Sequence, residues 1–353
     1  MEQSADIRAT LAQSLVVGLP GPEPGPEELA LVAREGLGGV ILFARNIESP
    51  RQVWEMNQRL RQAASQAGRP PLLVMVDQEG GEVARLREPF TCAPGASRLG
   101  RSDDEAILAE QGRRMGSELT AAGFNWNLAP VLDVHGVGGG VMARRSLGPD
   151  PQRVAELGAA FIQALQDQGC LACAKHFPGL GRTTQDTHAL RPRVELSRDE
   201  LEAMELVPFR RAARAGVAGI MVSHAVFPAL DENRPASLSA PVIQGLLRDE
   251  MGFQGLVLSD DLEMGALAAE MEADQAAVEA YQAGCDLLLV CHRPELALSA
   301  LDRLEEMAGS GELSRQRIQA TARRLQQVKS KLPPLPPPLA ALEQVLALPG
   351  GGT

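Results

Sequence analysis

The sequence predicts an α/β fold, a single (β/α)8 barrel of the TIM type. Short apolar segments recur eight times, and most are followed by polar residues and then by a segment with helical periodicity. Strands that alternate with helices favour a parallel sheet with helical crossovers. Eight such units within about 290 residues fit a closed barrel better than an open sheet. No G-x-G-x-x-G opens a helix after the first segment, which argues against a dinucleotide-binding fold.

The predicted strands are short apolar runs. In chain order they cover residues 13–19, 39–43, 72–76, 127–134, 170–174, 218–222, 255–258 and 285–290.

Helix ends are marked by capping residues. Asp150 before Pro151 is typical of an N-cap followed by a first helical residue. Ser197 with Glu200 three residues later forms a capping-box pattern. Glycines follow helical segments where a left-handed residue is expected, at Gly123, Gly169, Gly252 and Gly284.

The predicted domain organisation is a catalytic barrel at 1–331 followed by a proline-rich tail at 332–353, with a short helix at 340–348. Hydrophobic residues make up 44% of the chain but aromatic residues only 3%, so the core must consist mainly of Ala, Leu and Val. The net charge of -11 and the lack of a basic cluster argue against nucleic acid as a partner.

No targeting segment and no run of 18 apolar residues is found, so a cytoplasmic protein without membrane contact is expected, most simply a monomer. The five cysteines fit reduced core thiols. Cys170 and Cys173 have C-x-x-C spacing, but on a strand they would point to opposite faces. The glycine-rich stretch 136–140 suggests a flexible loop, with a phosphate cradle as the alternative.

Ionisable residues concentrate where the third to seventh strands end, which is the rim that carries the active site in such barrels. Asp77 ends the third strand, Asp133 the fourth, Lys175 and His176 the fifth. Ser223, His224, Ser259, Asp260 and Asp261 end the sixth and seventh strands.

These residue types indicate a sugar site, because Asp, Arg, Lys and His make charge-assisted hydrogen bonds to hydroxyl groups. A metal site is the alternative reading of the Asp and His residues. However, no H-x-H or H-E-x-x-H is found, and the cations among these residues would oppose a metal ion. We therefore expect neither a metal nor another cofactor.

The stretch 175–188, KHFPGLGRTTQDTH, links the fifth strand to a pair formed by Asp186 and His188. A carboxylate beside an imidazole fixes its tautomer and raises its basicity, which suits proton transfer near neutral pH. The two glycines, Gly179 and Gly181, suggest that this loop moves when substrate binds.

At these positions the chain resembles glycoside hydrolase family 3, in particular its bacterial β-N-acetylhexosaminidase branch. The resemblance covers nearly every strand, and its most specific element is the stretch 175–188. The other matching segments are 39–47, 76–86, 127–134, 145–148, 220–224 and 258–264.

The resemblance implies a retaining enzyme. Asp260 would be the nucleophile, His188 the general acid/base and Asp186 the residue that orients it. The residues implied to hold a terminal N-acetylglucosamine are Asp77, Arg85, Arg145, Lys175 and His176. The branch implies that the substrate is a peptidoglycan fragment, a 1,6-anhydro-muropeptide of cell-wall recycling.

The chain departs from the family pattern at five positions. Glu82 replaces a common arginine and Arg144 replaces an acid. Leu180 and Arg182 replace the usual His and Asp, and Leu147 replaces an aromatic residue. Three other functions remain alternatives: a β-glucosidase, a β-N-acetylglucosaminide phosphorylase, and an inactive barrel that only binds sugars.

Other residues near the site have two interpretations. Glu79 could shape the loop after Asp77 or contact the sugar, and Asp261 could brace its loop or take part in catalysis. His224 could support the site from behind or line the pocket.

Overall fold

The computed structural model describes residues 2–102, 104–135, 142–183 and 192–347, with the side chains of residues 2–6 left undescribed. Eight parallel strands close into a barrel in the order β1-β10-β9-β8-β7-β6-β3-β2, which confirms the predicted fold class. The barrel strands are β1 (Leu15–Gly18), β2 (Gly39–Leu42), β3 (Leu73–Val76), β6 (Trp126–Asn127), β7 (Leu171–Phe177), β8 (Gly219–Val222), β9 (Leu256–Asp261) and β10 (Leu287–Val290). A hairpin of β4 (Gln78–Gly80) and β5 (Val83–Ala84) follows β3.

Helices surround this barrel, and the longer ones are amphipathic. They are α1 (Glu2–Ala12), α2 (Pro26–Ala30), α3 (Pro50–Gln66), α4 (Ala96–Gly100), α5 (Glu105–Ala121), α6 (Pro151–Gln166), α7 (Arg198–Glu200), α8 (Leu206–Arg214), α9 (Gly265–Ala268), α10 (Ala273–Ala283), α11 (Pro294–Ser310), α12 (Arg315–Lys329) and α13 (Leu339–Leu346). Wider π-helical turns run over Leu31–Glu35, Leu201–Glu205 and Pro241–Glu250, and 3-10 turns over Ala44–Asn46 and Ala236–Leu238. None of the helices described is long and apolar enough to cross a membrane.

The predicted caps are found. Asp150 accepts hydrogen bonds from the N–H groups of Gln152 and Arg153 at the start of α6. Ser197 and Glu200 make both bonds of a capping box. The four predicted C-terminal glycines all have positive φ.

Alternation along the strands divides the core into two layers. On β3, Leu73 and Met75 belong to the cluster inside the barrel, whereas Val74 and Val76 pack in the larger cluster between strands and helices. This is the pattern expected when successive side chains point to opposite faces. As expected from the few aromatic residues, Ala, Leu and Val occupy most positions of the larger cluster between the strands and the helices.

Three predicted strands end at clearly different residues in the structure. Only Trp126–Asn127 of the fourth strand is regular, and a single bridge from Val131 to Lys175 follows. Pro130 lies between them and has no N–H to donate to a ladder. The fifth and seventh strands instead extend to Phe177 and Asp261, so Lys175 and Asp260 lie on strands.

β7 is irregular where its polar residues begin. Its pairing with β8 shifts register between Ala174 and Phe177, and the Lys175–His176 peptide is cis. In a regular strand, Lys175 and His176 would point to opposite faces. Here both line the same cavity, because the bulge re-aims one of them.

Residues 332–347, the last part of the chain that the structure describes, pack on the barrel. Helix α13 contacts α5 and α3, and its Leu342 is buried. The indole N–H of Trp54 donates to the carbonyl of Pro337 at 2.9 Å. The short helix predicted at 340–348 is therefore found at Leu339–Leu346. The division into a domain at 1–331 and a tail at 332–353 stays a prediction.

Candidate active site

A cavity of about 240 Å³ opens at the C-terminal ends of the barrel strands. It brings together six of the residues predicted from the sequence, namely Asp77, Arg85, Arg145, Lys175, His176 and Asp260. Asp186, His188 and the glycine-rich stretch 136–140 lie outside the described residues. Glu79, Asp261 and His292 also line the cavity.

Lys175 lies at the centre of an ionic cluster. Its Nζ is 2.7 Å from Oδ1 of Asp77 and 2.8 Å from Oε1 of Glu79, and its side chain is only 3% exposed. Burial would lower the pKa of Lys175, but Asp77 and Glu79 outweigh burial and raise it. The ammonium group is therefore a permanent donor at the floor of the cavity.

Arg145 is held by Glu79, one of the two acids that contact Lys175. Its Nε and Nη2 donate to the two oxygens of Glu79 at 2.9 and 2.7 Å, a bidentate pairing. Burial opposes ionisation of Glu79, yet Lys175 and Arg145 lower its pKa to about 2. Glu79 thus stays charged and fixes both cations.

Arg85 retains unused hydrogen-bonding capacity. Its Nη2 is 3.7 Å from Oδ2 of Asp77, and its buried Nε has no hydrogen-bond partner among the described residues. Its guanidinium carbon also lies 5.9 Å from the centre of the Phe43 ring. A guanidinium group with an unpaired N–H can donate a hydrogen bond to a ligand.

His176 is oriented by Asp133, which is fully buried. Nδ1 of His176 lies 2.8 Å from Oδ2 of Asp133, and because a carboxylate only accepts, Nδ1 carries the proton. The N–H of Leu180 donates to the other oxygen of Asp133 at 2.7 Å. Nε2 of His176 therefore faces Arg145, 3.5 Å away.

Asp260 projects from the end of β9, and its Oδ1 accepts the N–H of Asp261 at 2.9 Å. Burial alone would raise the pKa of Asp260. The nearby imidazoles of His176 and His224, that N–H and Lys175 together lower the pKa below its ordinary value. The site therefore holds an ionised carboxylate that can act as a nucleophile.

Asp261 and His224 brace this strand end. Oδ1 of Asp261 accepts the N–H groups of Glu263 and Cys291, which ties the loop after β9 to β10. Nε2 of His224 lies 2.9 Å from the carbonyl of Asp261, and its Nδ1 lies 2.7 Å from Oγ of Ser237. For His224, these contacts favour the interpretation that it supports the end of β9 rather than lines the pocket.

Two of the departures from the family pattern, Glu82 and Arg144, contact each other, and two others, Leu180 and Arg182, follow β7. Arg144 and Glu82 form an exposed ion pair at 2.6 Å, so these two replacements pair with each other. Leu180 is buried and lines the cavity. Nε of Arg182 lies 3.5 Å from Oε1 of buried Glu205.

Comparison with known proteins gives one family. A model of the glycosyl hydrolase family 3 N-terminal domain matches residues 7–328. A β-hexosaminidase of Alkalilimnicola ehrlichii is 39% identical over 298 residues, covering 83% of this chain and 84% of that protein. A β-hexosaminidase of Pseudomonas aeruginosa is 38% identical over 296 residues, covering 83% and 87%.

Solved structures agree with this assignment. A family 3 β-N-acetylglucosaminidase from Paenibacillus superposes with a TM-score of 0.90 at 37% identity, covering 96% of this chain and 68% of that one. NagZ from Neisseria gonorrhoeae, in complex with N-trifluoroacetyl-D-glucosamine, gives 0.79 at 31% identity, covering 95% and 93%.

Proposed function

Since this chain belongs to glycosyl hydrolase family 3 and is a β-N-acetylhexosaminidase, we propose that it releases terminal, non-reducing N-acetylglucosamine from peptidoglycan fragments with retention of configuration. The fragments are 1,6-anhydro-muropeptides, and the reaction belongs to cell-wall recycling. The observation that carries the mechanism is the ionised Asp260 in a cavity whose other polar groups are positioned sugar-binding side chains.

The donor sugar occupies the floor of the cavity. Asp77 accepts from its hydroxyls, and Lys175, Arg85, Arg145 and His176 supply the remaining polar contacts. Charged partners make such hydrogen bonds roughly twice as strong as neutral ones. Because Glu79 and Asp133 hold two cations and His176 in place, little ordering is needed when the sugar binds.

In the first step, Asp260 attacks the anomeric carbon and forms a glycosyl ester as the bond to the leaving oxygen breaks. His188, oriented by Asp186, donates its proton to that oxygen. In the second step, His188 takes a proton from water, whose oxygen displaces Asp260 from the anomeric carbon. The roles of Asp186 and His188 rest on the resemblance, since both lie outside the described residues.

The test uses Asp260→Asn on an aryl β-N-acetylglucosaminide. Loss of the nucleophile should lower kcat by about 10³-fold or more. Asp302→Asn, at an exposed carboxylate on α11, serves as the matched control and should keep the wild-type rate.

Mass spectrometry of wild-type protein with a slow fluorinated substrate should show one added glycosyl group on the peptide that contains Asp260. Wild-type turnover by Asp260→Asn, or a product of inverted configuration, would refute the mechanism.

A further inference from the structure

The cavity has two unlike sides. On one side, polar residues lie on or just after β3, β4, β5, β7 and β9, and Arg145 lies on the loop before α6. On the other side, Phe43 follows β2 and His292 follows β10. Both β2 and β10 flank β1, which ends in Gly18. A Cβ added at Gly18 would lie 1.9 Å from the carbonyl oxygen of Cys291. The absence of a side chain at Gly18 therefore allows the chain ends after β2 and β10 to approach each other.

The rings of Phe43 and His292 contact each other where the chain ends after β2 and β10 approach. Their centroids are 5.9 Å apart and their planes differ by 21°, a stacked arrangement. The guanidinium carbon of Arg45 lies 4.6 Å from the centre of the Phe43 ring. Arg45 is itself held, since its Nε and Nη2 donate to the carbonyls of Leu19 and Cys291 at 2.8 and 2.7 Å.

The backbone of His292 is also fixed. The carboxylate of Glu263 accepts hydrogen bonds from the N–H groups of His292 and Arg293 at 2.6 and 3.1 Å. The Glu263 side chain is only 4% exposed. Nε2 of His292 lies 3.5 Å from Oδ2 of Asp261, the residue after the nucleophile. The two rings thus form a preorganised surface close to the reacting bond.

This surface lies at the mouth of the cavity. The His292 side chain is 56% exposed, compared with 3% for Lys175 and 7% for His176 at the floor. A donor sugar bound at the floor must direct its leaving group out through the mouth. In a chain with 8 Phe, 2 Trp and 1 Tyr, Phe43 is the only one of these among the described residues that line the cavity.

We infer that the stacked pair of Phe43 and His292 is the subsite for the leaving-group sugar ring. Aromatic faces pack against the C–H faces of a pyranose, and such rings supply contact area with few rotatable bonds. This inference rests on the proposed function and assigns the pair to the sugar that departs rather than to the N-acetylglucosamine that reacts with Asp260.

The test compares two substrates that share the donor sugar. N,N′-diacetylchitobiose has a sugar ring as its leaving group, and β-N-acetylglucosaminyl fluoride has none. His292→Ala and Phe43→Ala should each lower the ratio of kcat/KM for the disaccharide to kcat/KM for the fluoride by about 3- to 10-fold, as expected for a lost ring contact.

Two further variants separate stacking from polarity. His292→Phe keeps a ring and should restore most of the wild-type ratio, whereas His292→Asn keeps a polar group and should behave like His292→Ala. Melting curves show whether Phe43→Ala remains folded, and the exposed His292 variants carry the test if it does not.

An unchanged ratio, or equal losses on both substrates, would overturn the inference. Failure of the proposed function is a separate result, because the wild-type protein would then cleave neither substrate.

Discussion

At the scale of single residues, Glu79 determines the charge balance at the floor of the cavity, the proposed sugar-binding site. It contacts both Lys175 and Arg145, and its side chain is 5% exposed. Two cations with one shared acid are stable in a buried site only while that acid is ionised. We therefore propose that Glu79 is a positioning residue that acts through Lys175 and Arg145, two of the proposed sugar-binding groups.

Changing Glu79 to Gln should raise KM more than it lowers kcat, since the two cations would lose their common anchor and repel each other. We expect kcat/KM for an aryl β-N-acetylglucosaminide to fall by about 10- to 100-fold, as for a broken buried pair. Steady-state kinetics would check this.

The matched control is Glu82→Gln, three residues along, which breaks only the exposed pair with Arg144. A change within about twofold is expected there, because exposed pairs contribute little. Equal effects of the two substitutions would contradict the positioning role of Glu79.

His188→Ala tests the proposed acid by the dependence of the rate on the leaving group. A phenolate with a low pKa departs without a proton, whereas a sugar alkoxide needs one. The loss of kcat/KM should therefore be about 10²- to 10⁴-fold for a disaccharide and smaller for a nitrophenyl glycoside. Equal losses on the two substrates would argue against His188 as the acid.

The sequence was sufficient to select the residues that line the cavity but not their partners. Lys175, His176 and Asp260 could be predicted because polar residues at the C-terminal ends of barrel strands converge on one rim. The pairing of Asp133 with His176 and of Glu79 with Arg145 depends on side-chain distances across strands, which no spacing rule supplies. The signals in the sequence were the position of Asp133 at the end of the fourth predicted strand and that of Glu79 two residues after Asp77.

At the scale of elements, the segment after β7 packs on the helical turn Leu201–Glu205. A Cβ at Gly179, whose φ is 138°, would lie 2.6 Å from Oε2 of Glu205. Burial raises the pKa of Glu205 to about 8, and nearby Asp133 adds to this, whereas Arg182 opposes it. A neutral carboxyl group therefore supports the segment at neutral pH.

This pKa predicts a pH-dependent contribution to stability. Between the ordinary value of 4.5 and about 8, the folded chain binds more protons at Glu205 than the unfolded chain does. The contribution is complete below pH 4.5 and is lost as the pH rises to 8. Glu205→Gln should reduce the fall in unfolding free energy between pH 5 and 8 by on the order of a few kcal/mol.

Urea unfolding at both pH values measures this difference. Glu232→Gln, at an exposed turn, is the control and should leave the pH dependence as it is in the wild type. A Glu205→Gln variant with the wild-type pH dependence would show that Glu205 is ionised in the folded state at pH 5.

Strand positions could be predicted more closely than strand ends. β2 and β3 begin or end within one residue of the predicted segments, because apolar runs between helices define buried parallel strands. The strands β7 and β9 extend beyond their apolar runs because the cavity stabilises polar residues there. β6 is shorter because of Pro130, where the local backbone chemistry overrides the hydrophobic pattern.

At the scale of the whole molecule, we expect the two ends of the barrel to have different roles, with stability at the base and chemistry at the C-terminal ends of the strands. Asp286, at the start of β10, is fully buried and accepts from Nη2 of Arg248 at 2.5 Å and from the N–H of Val257 at 3.0 Å. Oγ1 of Thr321 and Nη1 of Arg324, both on α12, donate to its other oxygen at 2.9 and 3.0 Å. This carboxylate joins α12 to the base of the barrel.

The pair of variants Asp286→Asn and Asp260→Asn separates these tasks, since the same change is made at opposite ends of the barrel. Asp286→Asn leaves clustered arginines without their anion and should lower the unfolding free energy by about 3–5 kcal/mol, or the Tm by about 4–7 °C. Its kcat per folded molecule should match the wild type, because the base of such a barrel contributes stability rather than chemistry.

Asp260→Asn should do the reverse. It removes one carboxylate from a site arranged for reaction, so activity is lost while the Tm stays within a few degrees of the wild type, roughly as for other active-site substitutions. Calorimetry gives the stability of each variant, and steady-state kinetics corrected for the folded fraction gives kcat per folded molecule. If Asp286→Asn lowered kcat of the folded fraction as strongly as Asp260→Asn, the division of tasks between the two ends of the barrel would be wrong.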